Sequence, residues 1–466
     1  MESQLLSIQY LKQQPRWDFR YFDPKYLEVE KILHEGKYPL EPLENFTRQI
    51  QNFGAYSLCN LLQWIEDDNA IPYLKVTNLK EDGIDWSEVL KITPEVHEQL
   101  PKSKVYPGDI LYSMAGTIGL AVLAPEDLGE CNSNQAIAKI RLKSKTLSPD
   151  YLVTFLNSRL GRYQSERIAN GQTVLNINLG EIGKLLVPIP PRSLQTQIAQ
   201  VMQEAYGEQQ KKLEQAKQAY QEISEYVLKE LGINFTTSQR SCSALVPISV
   251  LKGGRFDFEA VVTLQDISSQ FVEHKATLLR EIVQQINERV TPSEESPDEM
   301  VNYIGLANIQ SNTGELINFH PVQGKEILSS SPKFEKGHLL FGRMRPYLNK
   351  VWSAEYDGVC SGEILVLKPN KNKVDTLLLQ TLLLSKLTLA QIVPLQSGSS
   401  LPRVSASDVL SVKLPIPKNL NKQKEISDEI EKRRLEVKRL RTEAEAVVAI
   451  SKAQVERMIL GEETVG

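Results

Sequence analysis

Arg16-Trp17-Asp18-Phe19 returns later in the chain as Arg255-Phe256-Asp257-Phe258, and the match between these two stretches decides the fold. Working outward, Pro72-Tyr73-Leu74 with Asn78-Leu79 returns as Asn302-Tyr303-Ile304 with Asn308-Ile309. Gly108-Asp109-Ile110-Leu111 returns as Gly337-His338-Leu339-Leu340, and Cys131 as Cys360. Val187-Pro188-Ile189-Pro190 returns as Leu414-Pro415-Ile416-Pro417, and Leu231-Gly232 as Leu460-Gly461. The chain is therefore two copies of one fold whose intervening stretches have diverged. Two similar units that differ in detail suit a target with two similar but unlike parts.

At 466 residues the chain exceeds what one core fills and suits two globular units with connectors. No run of about 18 apolar residues is present, so no membrane span is expected. Met1-Glu2-Ser3 opens without the basic and apolar segments of a signal peptide, and a cytoplasmic location is expected. The four cysteines form no CxxC pair; Cys131 and Cys360 read as small buried residues repeated with the fold, and no metal is expected. The net charge of −4 gives no global signal for nucleic acid. Residues 301–417 hold 12 Lys+Arg against 8 Asp+Glu, a local basic excess, whereas residues 71–192 are near balance at 14 against 13.

Each copy repeats one order of elements. Lys275–Val290 carries Leu278, Leu279, Ile282, Val283 and Ile286 at helical spacing. Ala70–Leu79, Asp109–Met114, Gly119–Leu123 and Ala136–Leu142 read as strands, as do Met300–Ile309, His338–Phe341, Lys350–Ala354 and Gly362–Leu367 in the second copy. A helical stretch, a Gly-rich turn and a strand ending in Pro-Ile-Pro follow. Then come about forty residues without proline. In the second such stretch Ile430, Val437, Ala444 and Met458 fall on one seam position and Ile426, Leu440 and Val447 on the other. The first carries Leu194, Ile198, Val201 and Ala205, then Leu213, Ala216, Tyr220, Ile223 and Val227 one residue out of phase. Apolar stripes this narrow need a partner, and the simplest is the other helix, running antiparallel. The expected class is α+β: two repeated mixed units and two long helices forming an antiparallel coiled coil. The boundaries fall at residues 1–190 and 255–417 for the units, 191–232 and 418–461 for the helices, and 233–254 for the connector.

The sequence carries no catalytic constellation. It has no Gly-x-Gly-x-x-Gly after a strand, no phosphate-binding Gly-Lys-Ser/Thr loop and no HExxH. What remains are polar loops. Gly342-Arg343-Met344-Arg345-Pro346-Tyr347-Leu348-Asn349-Lys350 sets three cations, an Asn and a Tyr on one connection between strands. Arginine suits the paired acceptors of guanine, asparagine suits adenine and lysine suits phosphate; the loop equally suits an exposed connection with no ligand. Its counterpart, Ser113-Met114-Ala115-Gly116-Thr117-Ile118-Gly119, is small and uncharged, so DNA-binding copies would read different sequences. Candidate contacts are Arg343, Arg345, Asn349 and Lys350, with Ser113 and Thr117 in the first copy. Gln172 and Thr173 beside Gly171, and Ser399, Ser400 and Arg403 beside Gly398, are second candidates that also read as plain turns.

These residues resemble the specificity subunit of type I restriction–modification systems. The resemblance is carried by the RxDF openings at Arg16 and Arg255, the run at Gly108, the Gly342–Pro346 segment, the turn at Gly398, and the Pro-Ile-Pro, long helix and Leu-Gly ending of both halves. It departs mildly where the helices begin, with Gln195-Thr196-Gln197 and Gln423-Lys424-Glu425 in place of the usual Glu-Gln. The resemblance implies two target-recognition domains reading a bipartite, asymmetric site on double-stranded DNA. It implies as partners two modification subunits, which methylate adenine N6 with S-adenosylmethionine, and restriction subunits that use ATP and magnesium to translocate and cut. No cofactor is expected on this chain. The competing readings are a coiled-coil scaffold binding only protein and a self-contained DNA methyltransferase or nuclease.

Overall fold

The computed structural model describes residues 16–233 and 276–463, apart from 17, 55–59, 61, 63, 68, 144, 172–174 and 399. The connector at 233–254, save its first residue, and the second RxDF at Arg255 lie outside the described residues. The chain divides into two compact units, residues 1–212 with 442–466, and residues 213–441.

In the first unit, helix α1 (Pro24–Glu35) precedes a sheet built from β1 (Thr47–Gln51), β3 (Ile110–Ser113), β4 (Ala121–Leu123) and β6 (Ile137–Leu142), in the order β1-β6-β3-β4, all antiparallel. A second, smaller sheet holds β2 (Ile71–Leu74) parallel to β5 (Asn132–Ser133). Alternation along β3 explains how both faces are buried. Ile110 and Tyr112 face the helices α2 (Pro149–Asn157) and α3 (Arg159–Ile168), whereas Leu111 faces the smaller sheet with Leu74 and Val122. Arg16 of the opening motif pairs with Asp18 and donates to the Ala169 carbonyl just past α3. Helix α4 (Arg192–Glu230) follows, and its first half belongs to this unit.

The second unit repeats the plan. Strands β7 (Val283–Ile286), β9 (Leu339–Gly342), β10 (Val351–Ser353) and β12 (Ile364–Pro369) take the order β7-β12-β9-β10. Strand β8 (Tyr303–Ile304) runs parallel to β11 (Gly358–Cys360). Leu339 and Phe341 face α5 (Thr376–Leu383) and α6 (Lys386–Ile392), and Leu340 faces the other layer. Helix α7 (Leu420–Leu460) closes the chain. Its buried positions include Ile426, Ile430, Val437, Ala444, Val455 and Met458, close to the expected seam, with Val448 more buried than Val447. On α4, Leu213 is exposed and Met202 takes a buried place that the stripe did not include.

Matched side chains hold matched backbone. Gly108 and Gly337 both adopt positive φ, 77° and 86°, ahead of β3 and β9, a conformation that costs a residue with a Cβ. The Asn78 and Asn308 carboxamides each accept from the backbone N–H three residues earlier, at 2.9 Å. Gln164 and Gln391 each bond both backbone groups of one residue, Leu186 and Lys413.

Two expectations are corrected. Residues 276–290 form a single short helical turn, Leu279–Ile282, between strands rather than a helix. Val283–Ile286 pairs with β12, where its backbone bonds are satisfied, so the apolar spacing reflects a turn followed by a strand. Cys131 and Cys360 are both buried, and burial pushes each thiol up to about 12. Yet they are not equivalent. Ile304 pairs with Cys360 where Leu74 pairs with Ser133, so Cys131 lies two residues out of register. A two-residue slip keeps the same face of a strand, which is why the sequence match survives it.

Lys139 on β6 is fully buried and donates from Nζ to Ser133 Oγ at 3.0 Å. Its counterpart by strand order is Val366, part of the apolar layer. Burial pulls the Lys139 ammonium down to about 7, with Asp109 opposing the shift. Between pH 7 and the normal lysine range the unfolded chain binds a proton that the folded one does not. Stability therefore rises with pH across that window. Lys139→Val should raise the unfolding free energy at pH 7 by ~1–3 kcal/mol and flatten that slope. Urea titrations from pH 6 to 10 check both, and an unchanged slope would refute the assignment.

Candidate nucleic-acid interface

The loop between β9 and β10 and the turn after α6 come together in the second unit. Met344 and Ser397 each form an isolated bridge with Arg403. Arg345 N donates to Pro402 O at 2.7 Å, and Val404 N to Arg343 O at 3.0 Å. Glu363, immediately before β12, lies beside Arg343 and Arg403. Arg403 binds its carboxylate with two bonds of 3.0 Å, and Arg343 Nε lies 3.5 Å away. Hydrogen bonds from Arg403 hold the Glu363 carboxyl below its ordinary value against the opposing effect of burial. Arg345, Tyr347, Ser400 and Leu401 are exposed around this cluster. Two arginines share one carboxylate and Arg345 is exposed nearby, leaving a surplus of positive charge on a rim that also offers apolar area.

The first unit builds the same junction from neutral residues. Ala115 and Asn170 each bridge Asn176, and Ile177 N donates to Met114 O at 3.0 Å. Matching these bonds sets Met114 against Arg343, Gly116 against Arg345 and Asn176 against Arg403. Glu363 falls against Ala136, since Met114 N donates to Ala136 O as Arg343 N does to Glu363 O. Two backbone positions in the loop are left-handed in both copies. They are Gly116 and Gly119 in the first, with φ of 74° and 81°, and Arg345 and Asn349 in the second, both at 50°. An arginine held there carries strain that its Gly counterpart avoids.

The structure sorts the expected contacts. Arg345, Thr117 and Ser400 are exposed and free to meet a ligand; Arg343 and Arg403 are partly exposed and share Glu363. Gln172, Thr173 and Ser399 lie outside the described residues. Three residues are corrected to structural roles. Asn349 is buried and donates to Leu384 O at 2.7 Å, which fixes the left-handed turn. Lys350 spends its ammonium on Leu306 O at 2.7 Å, and burial lowers its pKa. Ser113 is buried, bonded to Thr117 O and accepting from Leu120 N. Hydrogen-bonding side chains inside a tight loop satisfy the loop first. Glu363 and Asn176 were not legible as site residues, because only the folded bridges bring them to the loops.

Elsewhere His97, Glu98 and Glu130 lie close enough to share a cation. Lys104 already occupies Glu98 at 2.6 Å, however, and His97 Nδ1 is bonded to Asn132. Among the described residues no single helix is long and apolar enough to cross a membrane.

The chain is similar in part to two curated proteins and aligns with solved structures. The EcoDI type I restriction enzyme specificity subunit of Escherichia coli is 30% identical over 138 residues, 29% of this chain and 30% of the relative. The EcoBI specificity subunit of Escherichia coli is 24% identical over 139 residues, 30% of this chain and 29% of the relative. These matches span less than a third of either relative. The S subunit of a type-I restriction-modification system from M. genitalium aligns over 91% of this chain and 96% of its own, at 14% identity and a TM-score of 0.39. The HsdS subunit from Thermoanaerobacter tengcongensis aligns over 91% and 97%, at 13% identity and a TM-score of 0.37. The family described as type I restriction modification DNA specificity domain matches residues 61–221 and again residues 275–437. Those two stretches make up more than half of the chain, which belongs to that family and carries its domain twice.

Proposed function

We propose that this chain is the DNA specificity subunit of a type I restriction–modification complex, reading a bipartite, asymmetric site on double-stranded DNA with one recognition domain per half-site. The observation that carries the reading is the repeated loop junction. One backbone scaffold presents arginines around a carboxylate in one copy and Met, Gly and Asn around an alanine in the other. Holding the scaffold and changing the side chains is how two domains of one origin come to read different base edges. Arg345, Arg343, Arg403 and Ser400 serve one half-site and Thr117 the other, with Gln172, Thr173 and Ser399 as further contacts. Residues 1–190 and 255–417 are the recognition domains, and 233–254 connects them.

The helices at 191–232 and 418–461 act as an antiparallel coiled coil that spaces the domains. In the first unit the start of α4 (Leu194, Ile198, Met202) shares a core with the end of α7 (Val455, Met458, Ile459), and Lys212 reaches Glu443 at 2.9 Å. In the second unit Ile223 and Val227 share a core with Ile426 and Ile430, and Lys422 reaches Glu230 at 3.0 Å. The chain works in the cytoplasm and supplies no reaction. Two modification subunits bring S-adenosylmethionine, and restriction subunits bring ATP and magnesium. Purified alone it should neither methylate nor cut DNA.

Selection of bound sequences from a random pool tests the reading. The bound pool should hold two half-sites of unlike sequence at a fixed gap; one contiguous site, or no preferred sequence, rejects it. Removing seven residues from each helix keeps the stripe in phase and shortens the pair by ~10 Å. The gap should then shrink by about three base pairs at ~3.4 Å each, with the half-site letters unchanged.

A further inference from the structure

Each copy carries a small hairpin, between Leu79 and Ile84 in the first and between Ile309 and Leu316 in the second. Neither belongs to the loop junction, yet both join the long helices in the same way. Glu81, at the first hairpin's tip, accepts from the Tyr206 hydroxyl of α4 at 3.2 Å and pairs with Lys452 of α7. Beside it Asp82 accepts from Gln210 of α4 at 2.5 Å. In the second copy the Thr313 carbonyl accepts from the Tyr220 hydroxyl of α4 at 2.9 Å, and Glu315 pairs with Arg441 of α7. A tyrosine from α4 and a cation from α7 meet each hairpin, although the residues differ in number, spacing and kind.

The hairpins also hold the recognition loops. Arg162 bridges Glu81, at 3.3 Å, to the Ile118 carbonyl of the first loop, at 2.9 Å. Asn312 N donates to Asn349 O of the second loop at 3.0 Å. The path runs helix, hairpin, loop in both copies. Single ion pairs that keep about a third of each side chain in water contribute little to stability, so a join built twice from different residues is better explained by positioning than by strength.

We infer that the two hairpins are latches that set the angle of each recognition loop against the long helices, and so fix the gap and phase at which the two half-sites are read. The inference rests on the DNA-specificity reading above. Glu81, Glu315 and Arg441 are positioning residues and touch no base.

The second copy offers the cleaner test, because Glu315 and Arg441 form a simple pair. Glu315→Arg, Arg441→Glu and the double variant are compared with the unaltered chain. Amide hydrogen exchange is followed at residues 309–317 and 343–350, and bound sequences are selected from a random pool. Each single variant should speed exchange about tenfold in both segments and broaden the gap lengths recovered, with half-site letters and melting temperature little changed. The double variant should restore both readouts. Unchanged exchange and gap in the single variants would overturn the inference, as would a double variant that restores neither. Altered letters at a fixed gap would also overturn it, since the hairpin would then be reading bases. Exchange needs no DNA, so it decides the latch even where the unaltered chain selects no sequence, the outcome that removes the DNA reading instead.

Discussion

Arg345→Gly should keep the protein folded while removing most of one half-site's recognition. Arg345 sits in the left-handed region at φ 50°, where the first copy has Gly116 at 74°. A side chain there costs ~1–2 kcal/mol, whereas glycine costs ~0.5–1 kcal/mol in lost backbone freedom. The substitution is therefore neutral to slightly stabilising in urea or thermal unfolding. Binding should weaken by ~1–3 kcal/mol if the guanidinium pairs with a guanine edge, with preference relaxed in that half-site alone. Arg345→Ala should lose the same affinity yet keep the backbone strain, so the two variants differ in stability and agree in binding. Loss of stability in Arg345→Gly, or unchanged binding in both variants, would mean that the strained arginine serves the loop rather than the DNA. Arg403→Ala is a useful contrast. It leaves Glu363 to Arg343 alone, removes one positive charge from the junction, and should weaken binding across all sequences.

The order of elements was legible because the anchors that repeat are residues the backbone demands. Gly108 and Gly337 take positive φ, and Asn78 and Asn308 each bond the backbone of their own turn. Such roles need no distant partner, so they show in one dimension. The long helices were legible for a similar reason: the stripe is local and periodic. What failed was what depends on pairing. The spacing of Leu278, Leu279, Ile282, Val283 and Ile286 fits a helix equally well, and only the match of Val283–Ile286 with β12 makes part of it a strand. Asn349, Lys350 and Ser113 looked like ligands because a sequence does not reveal that Leu384, Leu306 and Thr117 carbonyls stand within reach. The grouping of Arg343 and Arg403 about Glu363 likewise exists only once three separate segments meet.

Where the long helices begin, Gln195 and Gln423 are both buried, and their side-chain amides carry a structural role that can be tested. Gln195 Oε1 accepts from Ser148 N at 2.8 Å, and its Nε2 donates to the Thr146 and Pro190 carbonyls at 2.9 Å. Gln423 does the same with Asp375 N at 2.7 Å and the Lys373 and Pro417 carbonyls at 2.9 and 2.6 Å. Each amide thus ties its helix to the chain before it and to the start of α2 or α5. Truncation leaves one N–H and two carbonyls without their partner, at ~1–3 kcal/mol for each that water does not reach. Two of the Gln195 bonds are fully buried, whereas those of Gln423 are partly open. Gln195→Ala should therefore lose ~3–5 kcal/mol and Gln423→Ala ~2–3 kcal/mol. Gln195→Glu sharpens the point, because a carboxylate would face the two carbonyls with no proton to give. Its folded pKa would be raised, so the stability it retains should be present at low pH and lost as pH rises through that value. Hydrogen exchange read along the chain should show the loss of protection in residues 145–212 for Gln195 variants and in residues 373–441 for Gln423 variants. A loss below ~1 kcal/mol in Gln195→Ala, or a Gln195→Glu variant as stable at pH 8 as at pH 4, would mean that the buried amide is replaceable and that packing of the helix stripe alone docks it.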